Sequence, residues 1–362
     1  MDICLIFNFH TPIILNNYSF FDIGRESEYF DQQETKKVFL KNYDEIYGPL
    51  INTILDTASR KDSSFSLSFS GIFLELMAQH HEGMVKKIKR RIDAGKIEIV
   101  GGTYYHSLCS LFSDDLFSIE AKEHLKLIKE LFGVSPTCMA NTENIYSNNL
   151  AAKINSLKYK TTITPKINWY VGDSYPHQVF ISAGDKKVSL LLSDYQIGIN
   201  LLSAGSVMKL LKDDTLKNKL VVSQVEPERL VENKDWVKAF NQIKKRSNRL
   251  ISVSQATTDH KSHSTYNIPQ TLAQTNDGLD LSYFIENPLQ KETIEKLRTI
   301  SQKLNLKKDK HLAIDLRILS ASENLLGMCT RLDHLEVTSP YDQYLSIMNI
   351  LSDLELRLLQ GK

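Results

Sequence analysis

The chain has 362 residues, with 42% hydrophobic and 24% charged, the balance of an ordinary globular protein large enough for one big α/β domain with an appendage, or for two domains. Lys plus Arg is 44 against 43 for Asp plus Glu, a formal net charge of +1, so nothing in the charge balance asks for a nucleic-acid partner. No apolar run reaches 18 residues, the start MDICLIF lacks the basic residues and long apolar core of a signal peptide, and the four cysteines form no C-x-x-C pair; a cytoplasmic, reduced protein without a membrane span is expected.

In chain order, ICLIFNF (3–9) and FSLSFS (65–70) read as buried strands. A helix pattern through Val85, Ile88 and Ile92 stops at Gly95, and KIEIVGG (96–102) reads as a strand. Asp114 opens a helix with the apolar face Phe117, Ala121, Leu125, Ile128 and Leu131, closed by Gly133. PTCMA (136–140), KTTIT (160–164), KVSLLL (187–192), KLVVSQV (219–225) and RLISVS (249–254) continue the strands, with a helix at 147–157. Strands alternating with helices predict a parallel sheet, closed as a barrel or open and doubly wound. Residues 256–288 are polar and irregular, a connector or active-site loop. Helical periods follow at 289–305, 310–328 and 339–360, the last opened by Ser339-Pro340, and predict a three-helix bundle. The expected division is a barrel over 1–255, a connector over 256–288 and a helical bundle over 289–362.

Ligands of parallel α/β folds sit at the carboxyl ends of the strands. That rule selects His10, then Tyr104, Tyr105 and His106, then Asn141, Thr142 and Glu143, then Gln224 and Glu226. Aromatic rings stack on sugar faces, histidines and amides bond hydroxyls, and a carboxylate attacks an anomeric carbon. Each residue also fits a structural role: His10 can lock its loop, Glu143 can favour a helix dipole, and the tyrosines can pack at a rim. His80-His81 falls in a solvated helical stretch, and KKIKRR (86–91) reads as a solvated helix face. His260 and His263 have metal-like spacing but no third ligand, so neither metal nor cofactor is expected.

HTP (10–12), IEIVGGTYYHSL (97–108) and NTENIY (141–146), in this order, resemble the motifs of glycoside hydrolase family 57, most closely its α-amylase-like branch. YSFFDIG (18–24), SFSGIFLELM (68–77) and SPYDQYLSIMNILSDL (339–354) extend the resemblance over nearly the whole chain. It implies a (β/α)7-type barrel with a C-terminal helical bundle, and retaining cleavage or transfer of α-glucan or maltooligosaccharide linkages. Motif matching puts Glu143 on the family's nucleophile. His10, Tyr104, Tyr105, His106, Asn141, Thr142 and Glu226 would bind substrate. Retention requires a second carboxyl about 5–5.5 Å away. The family supplies it as Asp in a segment like Asp-Tyr-Glu-x-Phe-Gly. Aligning Glu226 with the Glu of that segment puts Gln224 on the acid position, and an amide delivers no proton. Asp194 in LLSDYQIG (191–198) is a substitute one strand earlier; Glu226 is another, expected to point away from the face of Gln224. Other departures are Thr11 for Gln, Ala140 for Arg, the lack of an aspartate pair over 190–202, and the lack of Trp near Tyr283-Phe284. The alternatives are a non-catalytic homologue that binds glucan or serves as a scaffold, and a metal-dependent deacetylase, for which the early Asp and His-x-x-x-His pair are missing.

Overall fold

The computed structural model describes residues 1–60, 63–167, 171, 178–195, 198, 204–213, 216–228, 236–245, 249–261, 264–273, 281–306, 308–331 and 339–360. Its strands are β1 (Asp2–Phe9), β2 (Phe65–Phe69), β3 (Ile97–Val100), β4 (Cys138–Met139), β5 (Thr161–Pro165), β6 (Phe180–Ser182), β7 (Ser189–Ser193), β8 (Leu220–Val225), β9 (Arg249–Leu250) and β10 (Thr265–Tyr266). They form two sheets. One has the order β3-β2-β1-β8, with β9 on the first residues of β1; the other has the order β10-β6-β7-β5-β4. All pairings are parallel except β6 with β7.

The sheets meet at both ends. Gly101 bridges Met139, with Gly101 N donating to Cys138 O at 2.9 Å and Ala140 N to Gly101 O at 2.8 Å. At the other seam Asp194 N donates to Val222 O at 2.9 Å. The seven parallel strands β1, β2, β3, β4, β5, β7 and β8 thus belong to two sheets that abut at these two seams, consistent with the (β/α)7-type architecture expected from the sequence.

The period of the strands decides what faces what. In β1, Ile3, Leu5 and Phe7 pack outward on the helices with Ile51, Ile54, Phe73 and Ile88. Cys4 and Ile6 point inward to Val100, Cys138, Ile163, Leu191 and Val222. Continuing the inward parity past Ile6 gives Asn8 and then His10. The helix Asp114–Phe132 follows its sequence signals: the Ser113 side chain accepts from Leu116 N, and Gly133 ends it at φ 76°.

Two elements and one side chain differ from expectation. RLISVS is a strand only to Leu250; Ser252 then opens the helix Val253–Asp259 with a capping box to Gln255. The helix expected over 310–328 is two, Lys310–Leu319 and Ser322–Leu326. Between them Ala321 bridges Ser107, Leu108 N donates to Ser320 O at 2.7 Å, and Ser322 N donates to His106 O at 3.1 Å. Those bonds to a barrel loop replace helical ones and break the helix. His81 is not merely solvated, since its ring stacks on Tyr43 at 3.5 Å.

The helices Pro288–Lys303, Lys310–Leu319 and Pro340–Gln360 share one apolar core with Tyr146, Leu150 and Leu190 of the barrel. No described helix is long and apolar enough to cross a membrane, and the four cysteines are free and buried.

Candidate active site

A cavity of about 640 Å³ opens at the carboxyl ends of the strands, and its wall includes His10, His106, Asn141, Thr142, Glu143, Gln224, Glu226, Glu228 and Glu323. Of the ten residues selected from sequence, seven therefore converge there.

His10 leaves β1 on its inward face. Its Nδ1 lies 2.9 Å from Ser70 Oγ, and its Nε2 lies 3.2 Å from Glu323 Oε1. Its ring stacks on His106, with centroids 4.3 Å apart. His106 Nδ1 lies 2.9 Å from Ser322 Oγ and 3.8 Å from Glu323 Oε2. Glu323 thus sits under two imidazoles. Burial pushes its carboxyl up, but His10 and His106 outweigh that and hold it far below the usual carboxylate range. The two rings separate: burial, offset in part by Glu323, leaves His10 below its ordinary value, whereas Glu323, Glu143 and Glu226 overcome the burial of His106 and raise it. Two stacked imidazoles of unlike proton affinity beside a shared carboxylate can donate to and accept from hydroxyl groups. His10, His106 and Glu323 also bring ligating atoms within 4.8 Å of one another, so this trio is where a divalent ion would be held.

Glu143 lies in the turn Thr142–Asn144 after β4 with φ 53° and ψ 25°; Asn144 follows at φ 52°. Left-handed backbone costs an L-residue about 1–2 kcal/mol. Among the described residues five non-glycines adopt positive φ, and three of them, His106, Glu143 and Asn144, line this cavity. Concentrated strain of this kind marks functional turns. The turn is braced by Thr142 Oγ1, 2.7 Å from Thr103 Oγ1, and by Asn141 Nδ2, which donates to Ile145 O at 3.0 Å. Burial raises the Glu143 carboxyl above its ordinary value; Glu226 and Glu323 add to this, while His106 and a hydrogen bond from Ser322 pull it down.

Gln224 is the penultimate residue of β8, and its Oε1 is buried without a hydrogen-bond partner among the described residues, an unused acceptor in the cavity wall. The expectation that Glu226 points away from Gln224 is wrong. Residues two apart share a strand face, and both lie on the cavity wall.

Three residues do not converge. Asp194 pairs with Lys166 at 2.6 Å and is not part of the wall, although its neighbours Ser193 and Tyr195 are. The Tyr104 phenol donates to Glu75 Oε1 at 2.6 Å, and its ring covers Gly71 so closely that a Cβ there would lie 2.5 Å from it. Tyr105 lies under the Arg317 guanidinium, 5.3 Å from its ring centre. Both tyrosines are packing residues in this structure, not cavity residues. His260 bonds Asp2 Oδ2 at 2.8 Å; His263 lies outside the described residues.

Sequence reasoning missed Glu323, Ser70, Tyr47 and Glu228. Glu323 had one local signal, the Ser320-Ala321-Ser322 run inside a helical period.

The parallel strands thus carry a strained carboxylate and two stacked histidines at their carboxyl ends. The chain belongs to glycosyl hydrolase family 57, a family of α-glucan-active enzymes, whose model matches residues 4–269. It is 30% identical over 171 residues, 47% of this chain and 36% of the relative, to a "Putative alpha-amylase" of Methanocaldococcus jannaschii. It is 27% identical over 117 residues to "Alpha-amylase 1" of Dictyoglomus thermophilum, covering 32% of this chain and 17% of that relative. The matches thus span about a third or less of the length of these curated relatives. Among solved structures, the branching enzyme of Pyrococcus horikoshii superposes with a TM-score of 0.70 at 12% identity, over 99% of this chain and 92% of that one, a likeness of fold.

Proposed function

We propose that the chain is a retaining α-glucan-active enzyme that hydrolyses or transfers maltooligosaccharide linkages with Glu143 as nucleophile. The observation that carries this reading is the strained Glu143 facing His106 in a cavity at the strand ends. Attack by Glu143 on the anomeric carbon breaks the glycosidic bond and forms a β-linked glycosyl ester; water or an acceptor sugar then displaces it, restoring the α configuration. His10, His106 and Glu323 hold hydroxyls, and Gln224 accepts from one. Residues 1–255 form the barrel of this reading, 256–288 the connector that brings Tyr283 and Phe284 to the cavity, and 289–362 the bundle that supplies Glu323. Relatives named as α-amylases and a solved neighbour named as a branching enzyme support the substrate class.

A second reading, a glucan-binding homologue without turnover, is favoured by Gln224 and Ala140 at two family positions. Incubation of maltopentaose with wild type and Glu143→Gln, followed by product chromatography, separates the two. Glu143-dependent cleavage or chain redistribution supports the enzyme. Calorimetric binding with identical, absent turnover in both proteins supports the binder. Because the nucleophile must be ionised and its carboxyl is raised, the acid limb of the wild-type rate should lie above the ordinary glutamate range.

A further inference from the structure

We propose that the proton transfer left without a carboxyl at Gln224 is carried by Glu228, held by the phenol of Tyr47. The inference rests on the reading of Glu143 as nucleophile. Glu228 comes three residues after the end of β8, and its side chain lines the same cavity as Glu143, His106 and Gln224. In the alignment that puts Gln224 on the acid position, Glu228 stands where the motif carries Phe. A carboxyl is thus gained four residues from where one is lost.

The partner of Glu228 suits a group that must cycle between two protonation states. Tyr47 Oη lies 2.5 Å from Glu228 Oε1 and 3.1 Å from the His10 carbonyl oxygen. One phenolic proton faces two acceptors. With Glu228 ionised, Tyr47 donates to the carboxylate. With Glu228 protonated, its hydroxyl can donate to Tyr47 Oη, and Tyr47 donates to His10 O. Either state is satisfied without moving a side chain. Tyr47 ends a π-helical turn, Tyr43–Tyr47, set between two α-helices, a local irregularity that recurs at functional sites.

The other carboxyls of the wall fit less well. Glu323 is fixed as an anion by two histidines, and Asp194 is taken by Lys166 off the wall. Glu226 bears on both Glu143 and Glu228 as a neighbouring negative charge and raises each. Desolvation by the cavity walls lifts the Glu228 carboxyl although the residue as a whole is exposed, Glu226 adds to it, and the Tyr47 bond and His106 oppose it, so the acid holds its proton to higher pH than an ordinary glutamate does.

In the first step the Glu228 hydroxyl proton passes to the glycosidic oxygen as its bond to the anomeric carbon breaks and Glu143 forms the ester. In the second, the Glu228 carboxylate takes a proton from water as the water oxygen bonds that carbon and the ester to Glu143 breaks. Both steps balance with no added reactant.

The test uses the full chain, maltopentaose, α-maltosyl fluoride and sodium azide. Glu228→Gln should lose about 10²–10⁴-fold on maltopentaose. It should still react with α-maltosyl fluoride, whose fluoride leaves without a proton, and azide should restore its turnover by giving the α-configured glycosyl azide. Tyr47→Phe, a positioning change, should move the basic limb of the rate to higher pH, because the lost bond stabilises ionised Glu228. Wild-type rates on maltopentaose in Glu228→Gln overturn the inference and leave the Glu143 reading standing. Loss on both substrates without an azide product also overturns it. Absence of Glu143-dependent turnover in the wild type overturns both readings.

Discussion

Replacing Glu323 by Gln removes the anion beneath two stacked imidazoles while keeping the side-chain volume. The carboxylate lies 3.2 Å from His10 Nε2 and 3.8 Å from His106 Nδ1. At an effective dielectric of about 20, a unit-charge pair at those separations is worth roughly 4–5 kcal/mol before desolvation is subtracted. The three side chains are 20%, 30% and 27% exposed for His10, His106 and Glu323, so the cavity screens part of this. A loss of one nearby opposite charge then lowers an imidazole pKa by about 1–3 units. Long-range ¹H–¹⁵N spectra of the imidazoles, followed through pH, should show both midpoints falling, with burial then opposed at His106 only by Glu143 and Glu226. The sign for stability follows from the depressed folded pKa of Glu323. Its contribution is present above its unfolded value near 4.5 and is lost as pH falls toward the folded value. Urea midpoints of wild type and Glu323→Gln should therefore differ at pH 7 and converge in acid. Imidazole midpoints unchanged by the substitution would refute the cluster as an electrostatic unit.

Arg317 is 2% exposed and pairs with Glu120, fully buried, at 3.3 Å and with Glu123 at 2.6 Å, tying the helix Lys310–Leu319 to the helix Asp114–Phe132. Arg317→Ala strands the Glu120 charge and should cost about 3–5 kcal/mol in urea unfolding at pH 8. Burial already pushes Glu120 up to about 7, so the loss should shrink by pH 5, where its carboxyl is neutral. Gly71→Ala drives a Cβ to 2.5 Å from the Tyr104 ring and should lower stability by about 1–3 kcal/mol; restoration in Gly71→Ala/Tyr104→Leu would place the cause at that contact.

Part of this protein was decided by local rules. The apolar runs of β1, β2, β5, β7 and β8, the Ser113 cap and the Gly133 stop all follow from interactions within about four residues of chain, so they could be read one stretch at a time. His10, His106 and Glu143 were also legible, because a parallel α/β fold gathers the segments that follow its strands at one end. Tertiary structure alone decided the rest. Glu323 reaches His10 across 313 residues because the bonds of His106 and Leu108 break a helix whose own sequence would have continued it. Tyr47 meets Glu228 across 181 residues, and Tyr104, although it follows a strand, turns to Glu75 rather than to the cavity. Such pairings depend on how two abutting sheets stack their loops, and no short-range pattern encodes that.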